Sequence, residues 1–240
     1  MNSVMETNMK VVVVGGSSGI GEASAHRFLR LGADVTIAGR DQAKLTLAVG
    51  RLGKVRGVVA DGASPESSKR LFDSVGEFDH LILALSGGRG AGPIATTSLD
   101  DIRSGFEGKL FAQLTVLKSA LPYVKASVTF ISAATAMAGM AGTAGLAAIN
   151  GAVEALVRPL ATELAPLRVN AVRPGVIDTP WWNGVPKAFK DAVFAQTERT
   201  LPVRRVGRPE DVAAAIVMVA TNAFMTGTIL DVSGGATLAH

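Results

Sequence analysis

The sequence predicts a single doubly wound α/β domain, a parallel sheet with helices on both faces. Three observations carry that prediction. Seven short apolar runs rich in β-branched residues alternate with six stretches of helical period across the 240 residues. The runs are nearly continuous in apolar residues, as strands buried on both faces are. The first run passes straight into a glycine-rich bend that opens a helix. No linker, repeat or low-complexity block divides the chain, so residues 1–240 read as one domain.

The first run, Lys10–Val14, holds four consecutive valines, and Ile20–Leu31 follows it with helical period. Asp34–Ala38 then precedes Gln42–Leu52, and Val55–Ala60 precedes Pro65–Val75. Leu81–Leu85 leads to one long helical pattern, Leu99–Val124, and Val128–Ile131 leads to Ala144–Leu164. Within the last, Leu146, Ile149, Val153, Leu156, Leu160 and Leu164 recur at spacings of three and four and make one apolar stripe. Arg168–Val172 and Thr228–Val232 complete the strands. The helix between them, Pro209–Ala220, opens on a proline followed by Glu210 and Asp211, a helix-start signal. Thr179–Val203 is the exception, with Trp181, Trp182, three prolines and weak periodicity. Ligands of α/β sheets sit beyond the carboxyl ends of the strands. A segment following the sixth strand is therefore placed to act as a lid, or is a surface excursion.

Composition excludes several classes. Charged residues make up 18% and apolar residues 48%, which supports a substantial core and excludes disorder. The absence of cysteine excludes a disulfide scaffold and a thiolate metal site. His26, His80 and His240 form no ligand cluster, so no metal is expected. The start, MNSVMETNMK, lacks the apolar core of a signal peptide, and no apolar run approaches the ~20 residues of a membrane span. A soluble, cytoplasmic protein is expected. The net charge is +4, from scattered basic residues with few aromatics among them, so neither nucleic acid nor membrane is expected as a partner.

The bend reads Gly15-Gly16-Ser17-Ser18-Gly19-Ile20-Gly21. Glycines at 15, 19 and 21 let the backbone turn sharply and approach a pyrophosphate, and the helix start supplies free N–H groups and partial positive charge. Gly15, Ser17, Ser18, Gly19, Ile20 and Gly21 are therefore candidate cofactor contacts in a Rossmann-like domain. An NAD-preferring site places an acid at the end of the second strand, for the ribose 2′-hydroxyl. Here Gly39-Arg40 stands there, and a guanidinium pairs with a 2′-phosphate. NADP(H) is thus favoured over NAD(H), although Arg40 also fits a solvent-facing loop and neighbouring Asp41 also fits a ribose.

These residues make the chain similar to the short-chain dehydrogenase/reductase family over nearly its whole length. The G-x-x-x-G-x-G spacing matches, with Val14 where a threonine is usual. Asp61, after the third strand, matches the family's adenine-contacting aspartate. Arg168–Thr179 resembles the R-V-N-x-V-x-P-G-x-x-x-T segment that holds the nicotinamide side, which implicates Pro174, Gly175, Ile177 and Thr179. Gly207–Ala213 and Thr226-Gly227 resemble further signatures, and Ser233-Gly234-Gly235 the final D-G-G. The resemblance implies a seven-stranded sheet and a homotetramer or homodimer packed through the two long helices, where Ala147, Gly151 and Ala155 permit close approach.

The resemblance also implies four catalytic places, and all four are substituted. The tyrosine that exchanges the substrate proton is replaced by Leu146, and the lysine that supports it by Asn150. The substrate-orienting serine is replaced by Ala133, next to Ser132, and the relay asparagine by Lys109. Asparagine and lysine have exchanged places: an ammonium reaching over from the opposite helix accounts for the pair, and so does chance substitution in a relaxed site. Lys109, Ser132 and Asn150 are the candidate catalytic residues. Tyr123, the sole tyrosine, is read near a helix end without a lysine at family spacing. Ser132 and Thr135 are candidates to bind substrate or to cap backbone, and Thr143 reads as a helix cap. Arg89, in the Ser86–Gly92 loop, reads as an anion binder or a solvated side chain. Asp100 and Asp101 read as helix-start acids. The expected function is hydride transfer between NADP(H) and a small organic substrate needing little acid assistance: a quinone, an iminium or an activated alkene. The alternatives are a cofactor-binding protein without turnover and a cofactor-free lyase or isomerase.

Overall fold

A computed structural model describes residues 9–86 and 88–238. The polar start up to residue 8, Gly87 of the Ser86–Gly92 loop, and His240 lie outside the described residues. Seven parallel strands form one sheet: β1 Lys10–Val14, β2 Asp34–Gly39, β3 Arg56–Val59, β4 Phe78–Leu83, β5 Val124–Ile131, β6 Arg168–Pro174 and β7 Ile229–Val232. Their order is β3-β2-β1-β4-β5-β6-β7. The order reverses between β1 and β4, which is where such sheets open a ligand crevice.

The helices are α1 Gly19–Arg30, α2 Gln42–Leu52, α3 Pro65–Val75, α4 Leu99–Phe106, α5 Ala112–Ala120, α6 Ala144–Glu163, α7 Lys187–Thr200 and α8 Pro209–Thr221. Strand alternation sends the β1 valines to opposite faces. Val12 and Val14 join a core with Leu71, Phe72, Val116 and Val153 from α3, α5 and α6. Val11 and Val13 join one with Phe28, Val212 and Ile216 from α1 and α8. Each large apolar side chain so buried stabilises by about 1.5–3 kcal/mol.

Several boundaries depart from the sequence expectation. The single helix foreseen over Leu99–Val124 is α4 and α5 joined by one π turn, Glu107–Phe111, while Val124 already belongs to β5. Tyr123 sits in the turn between α5 and β5, and its hydroxyl donates to Asp73. Strand β4 begins three residues before the expected Leu81, because Phe78 and His80 are buried against β5 despite the polar residues between and beside them. His80 therefore lies inside the strand. Strand β3 is an edge, and its residues are mostly exposed. Thr179–Val203 contains α7, whose weak period reflects its exposure, since Thr197 alone is fully buried. Thr143 does not cap α6 with its side chain; its hydroxyl donates to the Met140 carbonyl.

Buried His80 ties the sheet to α1 and α8. Its ring stacks on Phe28 at 6.4 Å. The Ser127 hydroxyl donates to the Ala220 carbonyl at 3.2 Å, so its oxygen accepts from His80 Nδ1–H at 2.8 Å. Burial and the neighbouring Arg168 push the imidazole from 6.5 down to about 4, against the opposing pull of Asp79. The folded state thus holds this histidine neutral. Its contribution, on the order of 3 kcal/mol, is fully present above pH 6.5 and is lost as the pH falls towards 4. Urea denaturation across that range is expected to give a falling stability that flattens in His80→Phe; an unchanged slope in the variant refutes the assignment.

Candidate active site

The bend after β1 is shaped by close contact. Gly15 has φ +85°, and a Cβ there would lie 2.5 Å from the Ala84 carbonyl oxygen; one on Gly21 would lie 2.2 Å from that of Gly15. Helix α1 is thereby laid directly on the bend. Ser18 occupies its N-cap without a side-chain cap bond, and the first N–H groups of a helix have no intrahelical partner. Gly15, Ser17, Ser18, Gly19, Ile20 and Gly21 line this amide-rich edge at the switch point.

The other candidate cofactor residues follow the ends of strands β2, β3 and β6. Arg40 is exposed just past β2 and has no hydrogen bond or ion pair among the described residues. Asp41 is otherwise engaged, its carboxylate accepting from the Lys44 amide at 3.0 Å as the cap of α2. Asp61 holds the turn after β3 by accepting from the Ala63 amide at 3.0 Å. Pro174 ends β6, the Gly175 amide donates to Val232, and Ile177 bridges to Gly207. The next residues bring Thr179 to the bend, its Cβ 3.2 Å from where a Cβ of Gly19 would stand.

Beyond the carboxyl ends of β4 and β5 lie Lys109, Ala133, Leu146 and Asn150. Lys109, central in the π turn, is buried, at 8% exposure. Single π turns recur at functional sites. Its Nζ donates to Asn150 Oδ1 at 2.6 Å and to the Ser132 carbonyl at 3.1 Å. Burial pushes the amine down to about 8, with the Glu154 carboxylate pulling the other way. Asn150 Nδ2 donates to Thr135 Oγ1 at 3.1 Å and to the Leu146 carbonyl at 2.9 Å. Leu146 and Ala133 are half-buried. The structure therefore joins Lys109, Ser132 and Asn150 in one cluster, with Thr135 at its edge.

Three residues of this cluster went unassigned in the sequence. Glu154, one helical turn beyond Asn150, accepts from the Ser132 hydroxyl at 2.7 Å and from Arg173 Nε at 2.7 Å and Nη2 at 2.5 Å. Arg173 also meets Asp231 at 3.3 Å. Gln113 reaches the Leu85 and Ile131 carbonyls, fastening the ends of β4 and β5. The four-residue spacing of Asn150 and Glu154 was the available signal. Ser132 faces this buried pair. Arg89 forms an exposed ion pair with Asp101 at 2.9 Å, and Asp100 and Asp101 occupy the first turn of α4.

The aromatic segment is internally stapled. Trp182 Nε1 donates to the Ile177 carbonyl at 2.9 Å, and its ring meets Trp181 and Phe194 edge-on at 4.9 and 5.3 Å. Trp181 stays 38% exposed, and its Nε1 lies 3.5 Å from where a Cβ of Gly88 would stand. It thus leans on the loop that follows β4.

This fold and this bend define a Rossmann-type protein of the dinucleotide-binding class. The family model described as enoyl-(acyl carrier protein) reductase matches residues 14–237. The chain belongs to the short-chain dehydrogenase/reductase family. It is 33% identical over 254 residues to the L-fucose dehydrogenase of Mus musculus, covering 100% of this chain and 93% of that one. A small-chain dehydrogenase solved in complex with NADPH is 33% identical, with TM-score 0.85, over 97% of this chain and 100% of that one. A short-chain oxidoreductase of Pseudomonas aeruginosa PAO1, NADPH-bound and described as containing an atypical catalytic center, is 25% identical with TM-score 0.87, over 97% and 98%.

Removing one partner of a buried ion pair leaves an uncompensated charge and costs about 3–5 kcal/mol. Glu154→Ala leaves Arg173 with Asp231 and the Ser132 hydroxyl with the Val172 carbonyl, so it is expected to destabilise by less, about 1–3 kcal/mol in urea. A loss below about 1 kcal/mol shows that the pair contributes little to folding.

Proposed function

We propose that this protein transfers hydride between NADP(H) and a small organic substrate at a site without the family's proton-delivering tyrosine. The observation that carries the reading is Thr179 set against the amide-rich bend at the switch point, with Arg40, unpartnered among the described residues, just past the neighbouring strand β2. NADP(H) is preferred over NAD(H) because Arg40 is exposed and has no partner among the described residues, while Asp41 is spent on a helix cap. The NADPH-bound relatives support the same choice.

Leu146, Asn150, Ala133 and Lys109 replace the tetrad. A positioned general acid is worth about 10²–10⁴ in rate, whereas holding reactants in contact supplies about 7–11 kcal/mol. Hydride transfer therefore survives loss of the tyrosine, towards acceptors that need little acid. The same four substitutions support a second reading, a cofactor-binding subunit or sensor without turnover. Residues 179–203 act as the lid within the single domain 1–240. The protein works in the cytoplasm as a homodimer or homotetramer, without nucleic acid, membrane or metal; among the described residues no helix is long and apolar enough to cross a membrane.

Tryptophan fluorescence with NADPH and NADH, followed by stopped-flow NADPH oxidation with a panel of acceptors and the reverse reaction with L-fucose, tests the reading. Arg40→Ala is expected to weaken NADPH about 10- to 100-fold, the worth of a charged hydrogen bond, and to leave NADH unchanged. Tighter binding of NADH by the wild type overturns the role of Arg40. Bound NADPH that no acceptor oxidises selects the second reading.

A further inference from the structure

The hydrogen-bond directions around Asn150 are forced. Lysine only donates, so the atom of Asn150 facing Lys109 Nζ at 2.6 Å is the carbonyl oxygen Oδ1. The amide nitrogen then faces the Leu146 carbonyl at 2.9 Å, which only accepts, and Thr135 Oγ1 at 3.1 Å. Both Nδ2 hydrogens are thereby used. Thr135 Oγ1 must accept, so its own hydrogen points elsewhere, and it donates to no group among the described residues. The chain Lys109–Asn150–Thr135 runs from a buried cation to an unspent hydroxyl hydrogen, each donor polarising the next. Thr135 is half-buried in the short turn Ala134–Ala136 after β5, two residues past Ala133, at the carboxyl edge where the sheet binds its ligand.

We propose that Thr135 hydrogen-bonds the oxygen of the hydride acceptor, and that the acceptor is a quinone. The proposal rests on the hydride-transfer reading above. A hydroxyl hydrogen left free at this edge needs a lone pair on the ligand, which an iminium nitrogen lacks. A threonine hydroxyl binds an oxyanion but does not give up its proton near neutrality, so the reduced product must carry its charge unaided by an acid; a delocalised hydroquinone anion does, and a simple alkoxide does not. The dihydronicotinamide C4–H bond breaks and NADPH becomes NADP⁺. One quinone oxygen receives the hydride's hydrogen, and the two electrons leave the charge on the opposite oxygen, held by Thr135. Water then protonates that oxygen, and the hydroxide left behind passes to the buffer. The surroundings suit a planar apolar molecule: Met137 and Met140 follow the turn with exposed side chains, and Trp181 stands exposed over the loop after β4.

The test uses the full chain with NADPH and menadione, with cyclohexanone as the ketone control. Menadione is expected to oxidise NADPH at least 100-fold faster than cyclohexanone. Thr135→Val keeps the shape and removes the hydroxyl; it is expected to lower kcat/KM for menadione about 100-fold, as loss of one oxyanion donor does, with NADPH affinity by tryptophan fluorescence unchanged. Thr135→Ser is expected to stay within about threefold of the wild type. Thr135→Val within twofold of the wild type overturns the role of Thr135. Cyclohexanone reduced as fast as menadione, or in its place, overturns the quinone and leaves hydride transfer standing. NADPH bound but oxidised by neither overturns hydride transfer itself.

Discussion

The site depends on a steric constraint at the carboxyl end of β1. The backbone of Gly15 lies against the Ala84 carbonyl, and Gly21 lies against Gly15 in turn, both closer than any side chain permits. The Ala84 amide donates to Val14 at 2.8 Å, so the loop leaving β4 is fixed to the strand that leads into the bend. The first turn of α1, the start of the β4 loop and the turn after β6 therefore meet within one small volume. Without those two contacts α1 cannot seat on the bend, and its N-terminal amides would not face the crevice.

Across the crevice the governing interaction is electrostatic. Lys109 is held by two neutral acceptors, while the Glu154 carboxylate is already engaged by Arg173 and Ser132. The amine is desolvated with no direct counter-ion among the described residues, and burial accordingly lowers its affinity for a proton. Glu154 and Arg173 complete a second layer, which fixes the end of β5 to α6 and β6. Ser132 links the layers, its carbonyl accepting from Lys109 and its hydroxyl donating to Glu154.

The sequence made legible what is local or periodic. The bend and the β1 valines each follow from a few adjacent residues and take their expected places, and of the α6 stripe Ile149 and Val153 are buried while Leu146 and Leu156 stay half-buried. Lys109 and Asn150 could be paired as an exchange because the family pattern fixes both positions; their contact, spanning 41 residues, came only with the fold. The Ser132–Glu154–Arg173 cluster left no periodic trace, since each member sits in an element defined by its apolar neighbours. The π turn was illegible for a different reason. One extra residue per turn shifts the helical phase, and the pattern over Leu99–Val124 runs through it as though unbroken. Helix α7 escaped because an exposed helix has no apolar stripe to declare it.

Stability itself weighs between the two functional readings. A site released from catalysis has no reason to keep a buried amine, because well-packed apolar side chains of similar volume serve the fold as well or better than buried charge. Leu146 and Ala133 follow that course. Lys109 does not: it stays buried at the cost of desolvation, and it holds Asn150 Oδ1 so that the amide presents one hydrogen to Thr135 and the other to the Leu146 carbonyl. An arrangement that a methionine would relieve, yet which ends on a hydroxyl hydrogen with no acceptor among the described residues, suits a site that holds a negatively polarised ligand. That balance favours the hydride-transfer reading over an idle cofactor sleeve.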